Sequence, residues 1–329
     1  MTTPGSGPPG PTSGEGSARP TYSIVIPILD ELETLPELGR RLVDLMALLD
    51  GPAEVVLVDD GSSDGSFDAM LALHGSDPRF RVLRLSRNFG HQIAISAGLQ
   101  HAVGEAVVVM DGDLQDPPEA VLALAQAWRD GYHVVYAVRE QRQGETRMKL
   151  VSAHWFYRLL GRMSDVHVPS DAGDFRLVDR RVVDAVNAMP EHRRYLRGLY
   201  AWVGFDQTGV TYVREPRHAG RTKFPLRKML GFAADGIVSF STVPLRMAMS
   251  LGFVVATLAF LTAVYGVASK VLGHVVPGWT SLVVIVGLLS GVQLMVLGIM
   301  GEYLARIYDE AKGRPLYILR DQVGFGRRP

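Results

Sequence analysis

The sequence predicts an α/β protein: a mostly parallel sheet with helices on both faces, followed by helices at a membrane interface and then two transmembrane helices. Three observations carry this. From Tyr22 to about Val138, apolar runs of strand length alternate with helix-period stretches, the pattern of a doubly covered sheet. Polar residues gather just beyond those runs, where open α/β sheets bind ligands. Two long uncharged stretches close the chain.

The first twenty residues, MTTPGSGPPGPTSGEGSARP, are half Gly and Pro without an apolar run, and read as a disordered tail over 1–20. A secretory signal needs a continuous apolar stretch, so the folded part is expected to begin in the cytoplasm near Tyr22. SIVIPIL (23–29) is the first strand run, and Leu35, Leu38, Leu42, Leu45 and Leu49 mark a helix after it. EVVLVDD (54–60), RVLRLSR (81–87), AVVVMDG (106–112) and HVVYAVR (133–139) read as further buried strands, with helical spacers at 91–103 and 118–129. Their tips carry Asp30 and Glu31, Asp59 and Asp60, Arg87 and Asn88, Asp111 and Asp113, and Arg139. One such cluster is turn chemistry; five on one rim make a site.

Composition removes several classes. The 329 residues hold 34 Lys or Arg and 34 Asp or Glu, so no global basic field points to nucleic acid. Without cysteine there is no disulfide, thiolate metal site or thiol nucleophile. The fingerprint GxGxxG is absent from the first turn, which takes support from a nicotinamide enzyme. The scattered histidines lack ligand spacing and read as surface or turn residues.

Hydrophobic residues reach 47%, and the excess lies in the last third. Met247–Ser269 and Val275–Gly301 are uncharged, and each can cross a core of about 30 Å at about 1.5 Å per residue. Spans at about 247–269 and 278–301 therefore form a hairpin over 247–303. Arg217, Arg221, Lys223, Arg227, Lys228 and Arg246 precede it, Arg306, Lys312, Arg314 and Arg320 follow, and the turn has only Lys270. The charge bias puts both flanks in the cytoplasm. A buried helical hairpin in a soluble core is the alternative. FPLRKMLGFAADGIVSFSTVPLR (224–246) mixes cations with apolar residues at helical spacing, which suits helices in the membrane interface or an amphipathic helix on the sheet. Residues 304–329 are left as a cytoplasmic C-terminal tail. GLLSG (287–291) sets small residues four apart, for packing against the first span or for a homo-oligomer.

VVVMDGDLQDPPE (107–119) ends an apolar run in carboxylates. Residues two apart on an extended chain point the same way, so Asp111, Asp113 and Gln115 are expected to present a row of oxygens. Mg²⁺ or Mn²⁺ takes such ligands together with substrate phosphates; loop capping is the plain alternative. In VDDGSSDGS (58–66), Asp59 directly follows a strand and is placed to accept hydrogen bonds from a base or ribose, while Gly61–Ser66 suits a tight turn and a helix cap.

IVIPILDELETL, VDDGSSDGS, RNFGHQIAISAGL, DGDLQDPPE, GDFRL (173–177) and the block from Arg217 through RTKFPLRK occur in this order over roughly 22–320. Together they resemble the inverting glycosyltransferases that include dolichyl-phosphate mannose synthases, and with the two spans their bacterial membrane-anchored branch, the polyprenyl-phosphate (bactoprenol) glycosyltransferases. The resemblance implies a Rossmann-like GT-A domain over 21–223, a nucleotide-sugar donor (UDP rather than GDP), a divalent metal, a polyprenyl-phosphate acceptor, and a place in the inner (plasma) membrane with both termini cytoplasmic. By position it implies Pro27, Asp30, Glu31, Asp59 and Asp111 at the nucleotide, although the family often has Asn where Asp30 stands. It implies Asp111, Asp113 and Gln115 at the metal, with Asp113 serving catalysis. Asp174 falls where the family has its proposed base; holding a sugar hydroxyl, orienting Arg176 or capping a helix are its other readings. A second role for base strength is small, because a phosphate monoester with a second pKa of about 6 is already anionic at neutral pH.

Donor diphosphate and acceptor phosphate repel, so cations must stand between them. Arg139, Arg147, Arg217 and Lys223 are the phosphate ligands the resemblance implies, with Arg217 also catalytic. From Phe205 to Arg246 there are seven Lys or Arg and three Asp or Glu, a surplus that anionic headgroups also attract. The expected reaction is sugar transfer to polyprenyl phosphate beside the bilayer. Its rivals are a processive polysaccharide synthase of the same fold, whose Gln-x-x-Arg-Trp is missing, and a non-catalytic nucleotide-binding membrane scaffold.

Overall fold

The computed structural model describes residues 19–140, 172–214, 243–272 and 278–326. Arg147, Arg217, Arg221 and Lys223, residues 224–242 of the expected interfacial helices, and residues 1–18 of the expected tail lie outside the described residues.

The elements run β1 (Tyr22–Ile28), α1 (Leu35–Leu48), β2 (Ala53–Asp59), α2 (Ser66–Ser76), β3 (Phe80–Leu85), α3 (His91–His101), β4 (Ala106–Val109), α4 (Val121–Arg129) and β5 (Val134–Arg139). Then come β6 (Ala172–Asp179), α5 (Arg180–Asn187), α6 (Leu196–Trp202), β7 (Gln207–Tyr212), α7 (Val243–Val271), α8 (Trp279–Ala311) and β8 (Leu319–Val323). The described residues form one eight-stranded sheet in the order β7-β5-β6-β4-β1-β2-β3-β8. All five expected strands are present. β1 pairs in parallel with β2 and β4, β2 with β3, and β5 with β7, whereas β6 and β8 run antiparallel to their neighbours. The sheet is mixed and mostly parallel.

Burial follows from alternation along β1. Tyr22, Ile24, Ile26 and Ile28 face the layer of α1, α2 and α4, while Val25 faces α3, α5 and α6. Leu35, Leu38, Leu42 and Leu45 recur at helical spacing and are fully buried on α1. Truncating one of them, as in Leu42→Ala, costs about 2–5 kcal/mol in a core of this kind. Pro27 sits inside the central strand, a place where a missing N–H is normally harmful. The β1–β4 pairing stops at Val25↔Val109, so the defect falls where β4 has already turned away. That departure opens the rim.

The C-terminal segment differs from its expectation. Residues 319–323 add an edge strand to β3, with Val82↔Val323 and Arg84↔Asp321 in register, and the Ser86 N–H donates to the Ile318 carbonyl at 2.8 Å. The run LRDQV looks like a solvated tail because an exposed edge strand tolerates charge. Among the described residues, one helix is long and apolar enough to cross a membrane: α8, through Ile285–Ala311. The first expected span contributes the shorter apolar stretch Ala248–Thr262 of α7. The two helices pack on one another, but Gly287 and Gly291 have open space where a Cβ would stand. Their spacing is not used against α7 among the described residues.

Candidate active site at the sheet rim

The β1–β2 side of the rim is built by loops that bond one another. Asp30 takes a left-handed φ of 52°; its N–H donates to Ser62 Oγ at 3.0 Å and its Oδ1 accepts the Ser63 N–H at 2.8 Å. The Glu31 N–H donates to Ser66 Oγ and the Leu32 N–H to Asp64 Oδ2, both at 3.0 Å. This lacing accounts for Ser62–Ser66 as turn and cap chemistry. Asp60 accepts from the N–H groups of Phe89 (2.7 Å) and Gly90 (3.0 Å), and its burial pushes its pKa up. The doubled aspartate therefore divides: Asp60 holds the next loop, and Asp59 holds its own turn through the Ser62 N–H.

Asp59 is fully buried. Its Oδ1 accepts the Ser62 N–H at 2.8 Å, while Arg84 Nε lies 3.3 Å from an Oδ2 that has no hydrogen-bond partner among the described residues. That oxygen is sealed from solvent and faced by the Arg84 guanidinium, an ion pair at the tip of β2. Gly61 lets this loop lie against the next one, since at its φ of +80° a Cβ would stand 2.7 Å from the Asn88 nitrogen. Arg87 stacks on the Phe89 ring at 4.0 Å, a structural use of that tip. Gly90, at φ +102°, turns the chain into α3.

The β4–β6 side concentrates charge. Antiparallel pairing sets Val109 opposite Arg176, so Asp111, two residues after Val109, comes alongside Asp174, two residues before Arg176. The expected extended row of Asp111, Asp113 and Gln115 is not what forms. β4 ends at Val109, Leu114 takes φ 56°, and the buried Asp113 accepts the Gln115 N–H at 3.1 Å through Oδ1. Period-two reasoning fails once the strand has ended. The three residues still share one turn at the rim.

Asp111 keeps 35% of its side chain exposed. Burial, then the charges of Asp174, Asp116 and Asp113, push its pKa up to about 6 against the pull of His91. Asp174 goes the other way. Burial alone would raise it, but His91 and Arg197 hold it far below the ordinary carboxylate range. Its Oδ1 accepts from Arg197 Nε at 2.8 Å; its Oδ2 accepts from Arg197 NH2 and Gln92 Nε2, both at 3.2 Å. His91 Nε2 lies 3.4 Å from Asp174 Oδ2 and 3.5 Å from Asp111 Oδ1. Asp174 does not orient Arg176, which donates to the Gly173 carbonyl and stacks on Tyr200.

At the outer strands, the buried Asp116 accepts from the Tyr212 hydroxyl, and Arg214 Nε lies 3.5 Å from it. Arg139 Nε donates to the same hydroxyl at 3.3 Å. Burial and the Asp116 bond push the Tyr212 pKa up to about 12. Sequence reasoning missed His91, Gln92, Arg197, Tyr212 and Arg214. His91 and Gln92 had a signal, since they open a helix directly after the tip Arg87–Gly90. Arg197 had none, because its partner lies 23 residues away. His101, buried on α3, departs from the reading of every histidine as surface or turn.

The fold is GT-A-like, a mostly parallel mixed sheet with carboxylates gathered at its strand ends. The chain belongs to glycosyl transferase family 2, whose model matches residues 23–186. It is 47% identical to "Uncharacterized glycosyltransferase YkcC" of Bacillus subtilis (strain 168), over 92% of this chain and 94% of that protein. It is 39% identical to "Prophage bactoprenol glucosyl transferase homolog" of Escherichia coli (strain K12), and 39% to "Bactoprenol glucosyl transferase" of Shigella phage SfV, in both cases over 91% of this chain and 98% of the other. Among solved structures, mannosyl-3-phosphoglycerate synthase from Rubrobacter xylanophilus is similar at 18% identity, covering 67% of this chain and 73% of that one, with a TM-score of 0.47.

Proposed function

We propose that this glycosyltransferase moves a sugar from a nucleotide-sugar donor, with UDP as the nucleotide, to polyprenyl phosphate at the cytoplasmic face of the plasma membrane, inverting the anomeric centre. The observation that carries the reading is the convergence of Asp111, Asp113 and Asp174 at one strand-end rim, with negative charge in excess at Asp111. Relatives at about 39% identity that are named bactoprenol glucosyl transferase support the lipid acceptor. The long apolar α8 supports the membrane, and a second span through α7 completes the hairpin.

The donor set fits a hard divalent cation. Among the described residues no group of three or more His, Cys, Asp or Glu stands close enough to hold a metal, yet Mg²⁺ or Mn²⁺ commonly uses one or two carboxylates and takes its remaining ligands from substrate phosphates and water. Asp111 and Asp113, with Gln115 in the same turn, would hold it, and Asp111 is a carboxylate whose neighbours would be relieved by a positive charge. When bound, the ion supplies charge neutralisation to the departing diphosphate.

The protein's own residues do the rest. Asp59 meets the base or ribose, with Pro27 near the end of β1 and Asp30 and Glu31 in the loop that follows it beneath the nucleotide. An oxygen of the acceptor phosphate attacks the anomeric carbon; the bond from that carbon to the diphosphate oxygen breaks, and the nucleotide diphosphate leaves with the electron pair. Arg139, fixed through Tyr212, meets a phosphate with a planar fork, and Arg147, Arg217 and Lys223 complete the cationic side. The attacking phosphate is already anionic, and a carboxylate held as acidic as Asp174 accepts protons poorly. Asp174 therefore serves by position rather than as a strong base.

The test incubates purified protein with a polyprenyl phosphate, Mg²⁺ or Mn²⁺ and a panel of labelled nucleotide sugars, then extracts into organic solvent. Label entering the lipid phase with one donor, and lost with EDTA or Asp113→Ala, supports the reading and names the sugar. No transfer from any donor, by protein that binds nucleotide, would return the chain to a membrane scaffold.

A further inference from the structure

Asp174 is approached from two helices at once. His91 and Gln92, in the first turn of α3, reach Oδ2, and Arg197, in the first turn of α6, spans both oxygens. The two helix starts are also tied directly, because the Leu196 N–H donates to Gln92 Oε1 at 3.2 Å. Only 14% of the Asp174 side chain and 28% of the Arg197 side chain are exposed. A pair this sheltered returns little net stability, since desolvation offsets the attraction. It does fix direction: a guanidinium fork on a carboxylate sets the plane of both groups. The plane set here aims Oδ2 at His91 and, past it, at Asp111.

The lead into Arg197 is gripped at its other end by α8. The His192 N–H donates to Glu310 Oε1 at 2.8 Å, and His192 Nδ1 lies 2.6 Å from Glu310 Oε2. Arg193 lies 3.6 Å from Glu302 and 3.8 Å from Asp309. The eight residues Pro190–Arg197 thus run from the foot of the apolar helix to the site carboxylate. Neither end is a free loop.

We propose that Arg197 is a positioning residue for the transfer reaction: it acts through Asp174, holding that carboxylate and with it His91 in register with Asp111. The inference rests on the function proposed above. It assigns Arg197 no contact with donor or acceptor, so its loss is felt in turnover rather than in donor binding. Lysine cannot reproduce a planar fork that spans two oxygens, so Arg197→Lys restores the charge and only part of the geometry.

The test measures transfer by the full-length protein in lipid or detergent, with donor KM and kcat separated and nucleotide affinity read independently. The wild-type chain is assayed first; if it transfers no sugar from any donor, the proposed function falls and this assignment falls with it. Given wild-type transfer, Arg197→Ala is expected to lower kcat by about 10²-fold, the scale of a small misplacement at a reacting centre, with donor KM and nucleotide affinity changed by less than about threefold. Arg197→Lys should recover part of the lost kcat. Arg197→Ala combined with Asp174→Asn should be no slower than the slower single variant, because residues that act as a unit are not additive. Should Arg197→Ala prove unstable, Arg197→Lys and Arg197→Gln carry the same cycle. A wild-type kcat in these variants, a loss confined to donor affinity, or fully additive costs in the double variant would overturn the assignment.

Discussion

On the β1–β2 side of the rim, Asp30, Asp60 and Asp64 bond to backbone N–H groups of neighbouring loops. On the β4–β6 side, Asp111 and Asp174 face side chains brought from α3 and α6, and their acidities are driven apart. The first arrangement largely closes on itself, a shaped floor with Asp59 buried beneath it against Arg84. The second is left with surplus negative charge. A rim built this way has one half closed by backbone hydrogen bonds, hence the rigid half, and one half that keeps its charge, and loss of a residue should hurt differently in each.

The largest separation is expected from Asp113→Ala on the charged half. Transfer should fall by about 10³-fold or more, on the scale of lost electrostatic stabilisation, while thermal unfolding moves by only a few degrees. Extraction of labelled lipid product beside a melting curve checks both, and a large drop in Tm with modest loss of transfer would erase the contrast. Tyr212→Phe comes next. It strips Asp116 and Arg139 of a shared hydroxyl, and a hydrogen bond to a charged group is worth about 1.5–3 kcal/mol. About a tenfold rise in acceptor KM is expected, and an unchanged acceptor KM would remove Arg139 from the phosphate path.

On the rigid half, Asp60→Asn removes one of two acceptors and turns an amide N–H₂ toward a backbone donor. Unfolding free energy should fall by about 1–3 kcal/mol, the cost of a buried donor left unpaired, with kcat changed by only a few fold. Denaturant titration and steady-state rates measure this pair of effects; a collapse of kcat at intact stability would show that both halves react. The smallest effect is expected at the foot of α8. The hydrogen bond to Glu310, then the contact with the Arg314 carbonyl, raise the His192 pKa against slight burial, with Glu310 and Asp309 adding charge. A raised imidazole contributes its stabilisation fully below about 6.5 and loses it as pH rises through the folded value. Amide exchange, corrected for its intrinsic pH dependence, should therefore show less protection at 191–194 at about pH 8 than at about pH 6. Glu310→Gln should flatten that difference, with Arg193 still facing Glu302 and Asp309.

The same contrast governs what could be read from sequence. The rigid half is local chemistry: Val and Ile runs ending in Asp-Gly-Ser turns, with partners one loop away, so Asp30, Asp59 and the turn at Ser62–Ser66 were legible. The charged half depends on pairings across the chain. His91 meets Asp174 only because β6 enters the sheet antiparallel beside β4, and no spacing announces that. Even the carboxylates at 111 and 113, legible as such, do not form an extended row, since the strand stops at Val109 and the chain turns at 112–113. β8 escaped notice for the converse reason: its charges are correct for an edge and look wrong for a strand.

That edge strand has a consequence for how the protein is made. Its place in the sheet lies beside β3, yet in chain order it follows both long helices. A ribosome will therefore have delivered strands β1 to β7 while one margin of the sheet still shows unpaired N–H and C=O groups, the kind of margin that invites a second chain. A chain stopped at Pro315 is expected to stay in that condition, aggregating or losing protection along Phe80–Leu85, whereas normal protection there would mean the margin needs no cover. If the helices enter a bilayer first, the last stretch of polypeptide acts as a latch that shuts only after anchoring, and a soluble, finished catalytic sheet without its anchor is never the intermediate.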